Sequence, residues 1–514
     1  MTAPFHYQPM PDPVAFQAGA QPDKLAMVDL TSGQRFTYAG LDRAINQCAG
    51  WLADRLGEPA GQRVAVLGRN DAAMPILHLA AARLGVIFVP LNWRLTVPEL
   101  AFQIGDSTPT LLLADSDFLD TAKAAAQDTA TQVLHLGDAA SLWATLPPVR
   151  PARIPSADQP STLLYTSGTS GLPKGALLTE SNLFFTTVNF SLMNRVTAAS
   201  TVLCDMPLFH IVGLVTMVRT PLTQGATLLL SRGFDPATTL SRLMDPDLGI
   251  THYMGVPQMA QTLRQHPDYQ AERLRGLVAL CTGGAPMPAA LTQRFSDDGI
   301  TIADGYGMSE AGTVLGVPIN DRQRILAKAG SAGIPGPTVS LRLVDDEGCD
   351  VPEGAVGELW ISGPNLSPGY WNRPDLPTLA QQGGWLRTGD AARRDADGFY
   401  YLVDRKKDMY ISGGENVYPA EIEAAILELD SIAEVAVIGV PDERWGEAGW
   451  AYIVVRAGHA LTAEQVTAHL EGRVARYKRP QRVIITDTLP RTGSGKVQKH
   501  MLVRQALADN TNPP

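Results

Sequence analysis

The sequence has few cysteines, no long apolar run and no excess of positive charge. Its four cysteines, Cys48, Cys204, Cys281 and Cys349, are widely spaced and include no CxxC pair. We therefore expect reduced, packed thiols, as in a cytosolic protein. No segment offers about 18 uninterrupted apolar residues, so no membrane span is expected. The formal net charge of −10 gives no general attraction to nucleic acid or to an anionic membrane.

The N-terminal segment also lacks the basic region and apolar core of a signal peptide, which favours a cytoplasmic protein. What is present is an ordinary globular composition, with 514 residues, 45% of them hydrophobic and 18% charged. A chain of this length exceeds one compact core, so two to four domains or subdomains are expected. The sequence does not decide between a monomer and a homodimer.

The most informative stretch is Tyr165 to Gly175, YTSGTSGLPKG, which holds three glycines, four Ser or Thr hydroxyls and Lys174 within eleven positions. Apolar residues on both sides predict strand, exposed loop, strand. Glycines let backbone N–H groups converge, and the hydroxyls and the lysine add donors and charge, so the loop can hold phosphate oxygens. A plain surface turn would explain a shorter fragment such as SGTS better than it explains all eleven residues.

Neither of the two lysines in glycine-rich settings lies in a Walker-type P-loop. That motif requires GxxxxGK[ST] between a strand and a helix, whereas Lys174 follows Pro173 and precedes a predicted strand. Around Lys496, in RTGSGKV, Pro490 holds the place of the first glycine and Val497 that of the Ser or Thr. A P-loop NTPase is therefore disfavoured.

Three textures follow one another along the chain. Helices and apolar strands alternate up to about residue 330 and predict an α/β fold with two doubly wound sheets. Gly/Pro turns with short alternating strands then predict a small antiparallel barrel or sheet. After Arg405 the pattern is that of a separate α+β domain. We predict an N-terminal domain over 1–405 and a mobile C-terminal domain over 406–514, with the charged stretch DRKKD (Asp404 to Asp408) as a candidate hinge.

Further motifs are weak singly but informative in order. His210 lies in PLFH, Gly283 begins GGAP, DGYGMSE runs from Asp304 to Glu310, and Asp390 ends RTGD. Together with YTSGTSGLPKG, DRKKDMYISGGENVYPAEIE and PRTGSGKV, they resemble the acyl-adenylate-forming superfamily over nearly the whole chain. That superfamily comprises acyl-CoA synthetases, peptide-synthetase adenylation domains and beetle luciferases. The resemblance implies an active site where a mobile C-terminal domain meets the N-terminal one.

The resemblance also implies roles for individual residues. The β- and γ-phosphates of ATP would be held by Thr166, Ser167, Gly168, Thr169, Ser170, Gly171 and Lys174. The nucleoside would be enclosed by Gly283, Gly284, Ala285, Pro286, Asp304, Tyr306, Gly307 and Met308, with Asp390 on the ribose and Arg405 on the ribose or α-phosphate. Ser309 would contact the forming acyl phosphate, and Glu310 with Thr166 would bind Mg²⁺. Lys496 would reach the α-phosphate and the carboxylate, and Lys407 would be the hinge.

The same resemblance narrows the acyl group and its acceptor. Amino-acid-activating members place an aspartate where His210 stands, so histidine favours a plain carboxylate with the ring beside the acyl path. A proposed coenzyme A site, as in benzoate-type and fatty-acid CoA ligases, comprises Arg94, Gly413, Gly414, Trp445, Tyr477 and Arg479. Gln481 departs from the pattern, since a basic residue can occur there.

The acyl pocket is expected to be apolar and to be lined by Phe209, Ile211, Tyr253, Met254, Met308, Val314 and Leu315. No basic residue is evidently placed for a second carboxylate. Arg219 stands nine positions after His210, on the opposite side of a helix with about 3.6 residues per turn. We therefore expect a medium-chain aliphatic or aromatic monocarboxylic acid as the substrate.

The sequence thus predicts an ATP-dependent carboxylic acid:CoA ligase with catalytic residues Lys496, His210, Glu310 and Lys174. It would use ATP, Mg²⁺ and CoA, and would form an acyl-adenylate and then a thioester. Three alternatives stay open: a ligase that loads an acyl carrier protein, a non-catalytic nucleotide-binding protein of the same fold, and an oxygenase of the luciferase type. The second is disfavoured because Lys174, Glu310, Asp390 and Lys496 are all present.

Overall fold

The computed structural model describes residues 10–152, 154–166, 173–285, 287–379, 382–405, 408–412, 415–442, 445–471, 473–474, 476–491 and 496–511. The α-helices are α1 (Pro13–Ala20), α2 (Tyr38–Leu56), α3 (Ala73–Leu84), α4 (Val97–Ser107), α5 (Leu119–Ala126), α6 (Leu136–Trp143), α7 (Glu180–Asn194), α8 (Thr220–Gln224), α9 (Pro236–Leu243), α10 (Pro257–Gln265), α11 (Ala271–Leu274), α12 (Ala289–Asp297), α13 (Arg322–Ala327), α14 (Pro419–Ile426), α15 (Ala463–Leu470) and α16 (Lys499–Thr511). A π-helix spans Val212–Arg219, and 3₁₀ turns span Ser116–Phe118, Pro246–Leu248 and Arg476–Lys478.

The strands are β1 (Leu25–Asp29), β2 (Arg35–Thr37), β3 (Arg63–Leu67), β4 (Ile87–Leu91), β5 (Leu111–Ala114), β6 (Gln132–His135), β7 (Pro160–Thr166), β8 (Lys174–Thr179), β9 (Thr201–Cys204), β10 (Thr227–Leu230), β11 (His252–Gly255), β12 (Ala279–Gly283), β13 (Ile302–Met308), β14 (Gly312–Gly316), β15 (Ile334–Pro335), β16 (Ser340–Val344), β17 (Val356–Ser362), β18 (Gly369–Tyr370), β19 (Leu386–Arg394), β20 (Tyr400–Arg405), β21 (Tyr410–Ser412), β22 (Glu415–Val417), β23 (Ile432–Asp442), β24 (Gly446–Val455) and β25 (Arg482–Ile485).

The chain divides into two compact units. The first comprises Met1–Met287, Leu291–Ser340 and Ile361–Leu386, and the second comprises Pro288–Ala290, Leu341–Trp360 and Arg387–Pro514. The boundary between residues 405 and 406 and the mobility of the C-terminal domain stay predictions.

Two large sheets form the first unit, as the alternating pattern predicts. One has the strand order β18-β8-β7-β4-β3-β5-β6, and its central neighbours β4, β3, β5 and β6 are parallel. The other has the order β15-β14-β13-β12-β11-β9-β10-β1-β2, with β13 through β1 parallel. Because the carboxyl ends of parallel strands meet at one edge, the loops after these strands can build a shared site.

The second unit contains a four-stranded sheet of order β16-β17-β19-β20 and a five-stranded sheet in which β22-β21-β24-β23 is extended by β25 beside β24. Buried Ile422 and Ile426 of α14 pack against Val437 and Ile453, as their helical spacing predicts, and Leu429 joins them half-buried. A capping box begins α15, where Thr462 accepts from the Gln465 N–H and the Gln465 side chain accepts from the Thr462 N–H.

Local sequence signals explain where the other elements begin and end. Thr37 caps α2 by accepting from the Gly40 N–H at 3.1 Å, and α2 ends at Gly57 with φ of 68°, a conformation that favours glycine. Three of the four cysteines are buried and all are free, but Cys349 is exposed. The expectation of packed thiols is therefore wrong for Cys349. Among the described helices none is long and apolar enough to cross a bilayer.

Candidate active site

The flanks of the glycine-rich loop form the predicted strand pair. β7 ends at Thr166 and β8 begins at Lys174, and these two residues are directly paired across the antiparallel ladder. The Thr166 hydroxyl donates to the Lys174 carbonyl at 3.4 Å. The predicted phosphate-binding residues Ser167, Gly168, Thr169, Ser170 and Gly171 lie outside the described part of the chain. The fold thus brings the two polar ends of the loop together at one edge of the sheet.

Glu310 is held by a tyrosine that the sequence did not single out. Glu310 and Ser309 occupy the turn between β13 and β14, and only 8% of Glu310 is exposed. The Tyr370 hydroxyl donates to Glu310 Oε1 at 2.9 Å, and the Ser367 N–H donates to the Glu310 carbonyl at 2.7 Å. Burial, followed by the nearby carboxylate, raises the pKa of Tyr370, so its hydroxyl stays protonated and acts as the donor.

Tyr370 also links Glu310 to the phosphate-loop lysine. It lies on β18, directly opposite Ala176 of β8, and its ring centroid is 5.8 Å from Lys174 Nζ. A lysine over an aromatic face is stabilised by the ring's electron density. One side chain therefore orients the carboxylate and the ammonium that are predicted to act on the phosphates.

The residues present are compatible with a magnesium ion held jointly with ATP. Within the described chain Glu310 Oε2 makes no hydrogen bond, and no group of three His, Cys, Asp or Glu residues could hold a metal by protein ligands alone. Magnesium is usually bound by one or two carboxylates plus substrate phosphates and water. Glu310 meets that requirement with one carboxylate.

The predicted adenine residues lie on neighbouring strands. Gly283 ends β12 beside Gly305 of β13, and Tyr306 follows. Gly284 and Ala285 are exposed just past the end of β12, whereas Pro286 lies outside the described residues. Gly307 is required for a close approach, since a Cβ there would lie 2.2 Å from the Gly312 carbonyl oxygen.

Asp304, also predicted to contact the nucleoside, accepts a hydrogen bond from the Thr282 hydroxyl at 2.8 Å. Burial raises the pKa of the Asp304 carboxyl to about 7, against the opposing effect of its hydrogen bonds. The carboxyl therefore changes charge near neutral pH.

In the second unit, Asp390 and Arg405 are paired opposite each other on β19 and β20. The two residues predicted to contact the ribose and α-phosphate are thus neighbours. The Asp390 N–H donates to the Thr388 hydroxyl at 3.0 Å. Lys496 is exposed just before the bridge between Arg491 and Val497. The predicted hinge residue Lys407 lies outside the described chain.

The predicted CoA residues are divided between the units, with Arg94 in the first. In the second, Trp445 is 37% exposed, Tyr477 is half-buried in a 3₁₀ turn, and Arg479 forms an ion pair with Glu471 at 3.3 Å. Gln481 has a structural partner: with its amide oriented to satisfy both ends, its oxygen accepts from Trp445 Nε1 at 3.1 Å and its nitrogen donates to Asp442 at 3.2 Å. Gly413 and Gly414 lie outside the described chain.

The seven predicted acyl-pocket residues are not all on one surface. Successive side chains on a strand point to opposite faces. Tyr253 packs with Leu203, Leu280 and Ile302 in one core, so Met254 faces the other side of the sheet. Leu315 is paired with Tyr306 and, like it, lies on the face away from Gly305 and Gly316. Tyr253 and Leu315 therefore lie on the face of the sheet opposite Met254. The prediction that all three line one pocket is corrected by this alternation of side chains along the strands.

Three glycines form a row on the face that carries Met254. Gly283 pairs with Gly305, and Gly305 pairs with Gly316, across three adjacent strands. A Cβ at Gly283 would meet Met254 Cε at 3.1 Å, and one at Gly316 would meet Met193 Sδ at 2.9 Å. At half-buried Gly305 the three nearest atoms are all backbone. The row leaves a slot about 10 Å across, from the strand spacing, with a methionine at each end.

Helix α7 and the π-helix cover this same face of the sheet. The Asn194 carbonyl, at the end of α7, is 2.8 Å from His252 Nε2, and Cys281 Sγ is 3.1 Å from Asn194 Oδ1. The π-helix contacts α7, β9 and β14. Phe209, His210 and Ile211 precede it, and the His210 ring lies 4.6 Å from that of Phe209. These three residues therefore lie at the start of the π-helix, which covers the slot.

Arg219 ends that π-helix and is fully engaged. Its guanidinium bonds Glu180 through two N–H groups, one of them at 2.9 Å from Oε1, and contacts His78 Nε2 at 3.1 Å. Arg219 is 4% exposed and Glu180 is 2% exposed. A π-helix has i→i+5 bonds and a wider turn than the α-helix assumed for this segment, so the predicted placement of Arg219 opposite His210 does not follow. The absence of a basic residue for a second substrate carboxylate stays a prediction.

Comparison with known proteins agrees with these observations. The family model described as AMP-binding enzyme matches residues 14–371, and that of the AMP-binding enzyme C-terminal domain matches residues 421–496. Feruloyl-CoA synthase of an Amycolatopsis species is 40% identical over 91% of this chain and 93% of its own. Indoleacetate–CoA ligase of Aromatoleum aromaticum is 38% identical over 96% and 97%.

Among solved structures, ATP-bound MatB from Rhodopseudomonas palustris has a TM-score of 0.87 and 31% identity, over 96% of this chain and 98% of that one. The fold class predicted from the sequence is confirmed, and so is the resemblance to the acyl-adenylate-forming superfamily. The family matches, the ordered motifs and the paired strand ends around Thr166, Lys174 and Glu310 lead to one conclusion: this chain belongs to the AMP-binding enzyme family.

Proposed function

We propose that the chain is an ATP-dependent, AMP-forming acid:CoA ligase whose substrate is an aromatic monocarboxylic acid. The single observation that carries the aromatic assignment is the row of paired glycines, Gly283, Gly305 and Gly316. A floor without side chains admits a flat ring against the backbone. The methionines at its ends, Met254 and Met193, are flexible and make favourable contacts with aromatic rings.

A second carboxylate on the substrate is disfavoured by the charges on this side of the sheet. Arg219 is already neutralised by Glu180, and the Ser161 hydroxyl also donates to Glu180 at 2.7 Å. Burial and the Arg219 charge hold the pKa of His78 well below its usual range, so its ring is neutral. A buried dicarboxylate would lack a partner there, at a cost of several kcal/mol.

Two of the relatives support the same substrate class. They are named feruloyl-CoA synthase and indoleacetate–CoA ligase, after acids with a planar ring, whereas a third is named long-chain-fatty-acid–CoA ligase. Each is matched over more than nine-tenths of its length. Medium-chain aliphatic acids, which the sequence also predicts, remain the competing substrates, to be separated by experiment.

The proposed reaction has two steps. A carboxylate oxygen attacks the α-phosphorus of ATP, and the bond from that phosphorus to the oxygen bridging to the β-phosphate breaks. Pyrophosphate departs, and the acyl-adenylate remains. The sulfur of CoA then attacks the acyl carbon, its proton is lost, and the C–O bond to AMP breaks. Lys174 is positioned for the phosphates beside the loop, and Lys496 is proposed to neutralise the α-phosphate. A bound magnesium ion supplies further charge neutralisation.

The direct test is a pyrophosphate-release screen over cinnamates, indole-3-alkanoates, benzoates and saturated acids of six to twelve carbons, followed by thioester assays with free CoA and with a phosphopantetheinyl carrier protein. We expect aromatic acids and free CoA to give the highest kcat/KM. A preference for saturated acids would overturn the aromatic assignment, and a preference for the carrier protein would overturn the CoA assignment.

Two matched methionine variants test the slot itself. Met254→Ala lengthens the slot, and we expect about a tenfold gain in relative kcat/KM for bulkier rings. Met259→Ala is the control, since Met259 Cε lies 3.1 Å from the Cβ position of Gly255 but packs on the opposite face of the sheet. An equal change in selectivity in both variants would contradict the location of the slot.

A further inference from the structure

Two arginines stack on one tryptophan at the carboxyl edge of the first sheet. β3 and β4 are parallel with Leu67 opposite Leu91, so the loops that follow them lie side by side. Arg69 follows β3, whereas Trp93 and Arg94 follow β4 in a turn closed by the Leu95 N–H to the Asn92 carbonyl at 3.1 Å. The guanidinium carbons of Arg69 and Arg94 lie 4.9 and 4.5 Å from the Trp93 ring centroid.

The two cations have no anionic partner within the described chain, because neither guanidinium makes a hydrogen bond or an ion pair there. The adjacent carboxylates of Asp115 and Asp117 are bound by Arg232, at 3.5 and 2.8 Å, and Asp115 also accepts the Arg69 backbone N–H. Partial burial and then the charge of Arg69 lower the pKa of Arg94, in keeping with their closeness. Both side chains are exposed and can be reached by a ligand.

The ring holds this pair in place. Trp93 packs against Phe118 at 5.7 Å and Phe209 at 6.3 Å, and Arg94 also lies 5.6 Å from the Phe209 ring. An arginine stacked on an aromatic face keeps its N–H fork free for a phosphate, and little entropy is lost when the phosphate binds. Two such forks around one ring suit a doubly charged phosphomonoester better than a singly charged diester.

We propose that Arg69, together with Arg94, binds the 3′-phosphate of CoA. The choice of CoA rests on the proposed function and on the resemblance that already implies a CoA contact for Arg94. The new element is Arg69, whose guanidinium shares the Trp93 ring with that of Arg94. Arg69 thereby distinguishes CoA from dephospho-CoA, which differs only by that phosphate.

The test compares wild type with Arg69→Ala in thioester formation from CoA and from dephospho-CoA, and by calorimetric titration with adenosine 3′,5′-bisphosphate. We expect KM for CoA to rise about tenfold, which corresponds to about 1.4 kcal/mol. KM for dephospho-CoA and KM for ATP should not change, and the affinity for the bisphosphate should fall by a similar factor. An equal loss with dephospho-CoA, a loss directed at ATP, or no change at all would each overturn the assignment.

Arg55→Ala is the matched control, because Arg55 also stacks on a tryptophan, 4.7 Å from the Trp51 ring centroid, but has no second arginine on that ring. It should leave all three ligands unaffected, and equal melting temperatures exclude misfolding. If the wild type makes no thioester yet binds the bisphosphate through Arg69, the proposed function fails and the phosphate site stands. If thioester forms and Arg69→Ala is indistinguishable from wild type, only the phosphate site fails.

Discussion

The hydroxyl of Tyr370 donates to the carboxylate of Glu310 at 2.9 Å, across a separation of 60 positions in the chain. Glu310 is only 8% exposed, so hydrogen-bond donors from the protein, rather than water, fix the orientation of its carboxylate. The proposed metal ligand is therefore positioned by a residue of β18, a two-residue strand paired with β8 beside the glycine-rich loop.

Removing that hydroxyl should weaken metal binding without unfolding the protein. For Tyr370→Phe we expect the Mg²⁺ concentration for half-maximal pyrophosphate release to rise about tenfold or more, since one hydrogen bond to a charged group contributes about 1.5 kcal/mol or more. Electron paramagnetic resonance of bound Mn²⁺ in the presence of ATP gives a readout independent of turnover. Tyr269→Phe, which removes a hydroxyl bound to Asp298 at 2.9 Å, is the control. Unchanged Mn²⁺ affinity in Tyr370→Phe would contradict the positioning role.

Lys496 should act in only one of the two half-reactions. Lys496→Ala removes a positive charge proposed for the α-phosphate, so pyrophosphate release should fall at least about 100-fold. Thioester formation from supplied acyl-adenylate and CoA should stay near the wild-type rate. Lys499→Ala, which removes the neighbouring lysine ion-paired with Glu423 at 2.8 Å, should affect neither. Equal losses in the two half-reactions of Lys496→Ala would refute the role.

Removing one member of the buried ion pair between Arg219 and Glu180 should lower the free energy of unfolding more than removing both. Arg219→Met leaves the Glu180 carboxylate buried without its cation, and such a loss costs about 3–5 kcal/mol of unfolding free energy. Arg219→Met combined with Glu180→Met removes both charges and should recover much of that loss. Guanidinium titration measures both, with Arg264→Met at the less buried pair with Asp298 as a milder reference. A single variant as stable as the double one would contradict the account.

Asp304 should make stability depend on pH in a defined direction. Burial raises the pKa of Asp304 from 3.8 to about 7 in the folded protein. Between these values the folded state keeps a proton that the unfolded state loses, so the contribution of Asp304 to stability falls as pH rises, by at most about 1.4 kcal/mol per unit. Asp304→Asn cannot titrate, so its stability relative to wild type should increase from pH 4 to pH 7 and level off above. A constant difference over that range would count against the raised pKa.

Much of the fold could be predicted because local rules govern it. β3 and β25 have the bounds that their apolar runs predict, and α15 begins at the capping box of Thr462 and Gln465. The loop-flanking strands at Thr166 and Lys174 also follow from apolar residues beside glycines. Each of these signals spans only a few residues, so it does not depend on tertiary contacts with the rest of the chain.

The predicted lining of the acyl pocket agrees less well with the structure, partly because it ignored the alternation of side chains along a strand. Tyr253 and Met254 are consecutive on a strand, so alternation alone divides them between the two faces. The π-helix that ends at Arg219 was not predicted from the sequence, and its wider turn invalidated a rotation estimated from 3.6 residues per turn.

The sequence by itself determined the family, the order of the motifs and the chemical types gathered for ATP, because each of these depends on residues close together in the chain. Only the tertiary structure decided which distant residues meet. Tyr370 reaches Glu310, and Gly283, Gly305 and Gly316 align, through strand pairings whose register no short segment encodes. Arg69 and Arg94 share Trp93 because parallel strands end at the same edge of a sheet.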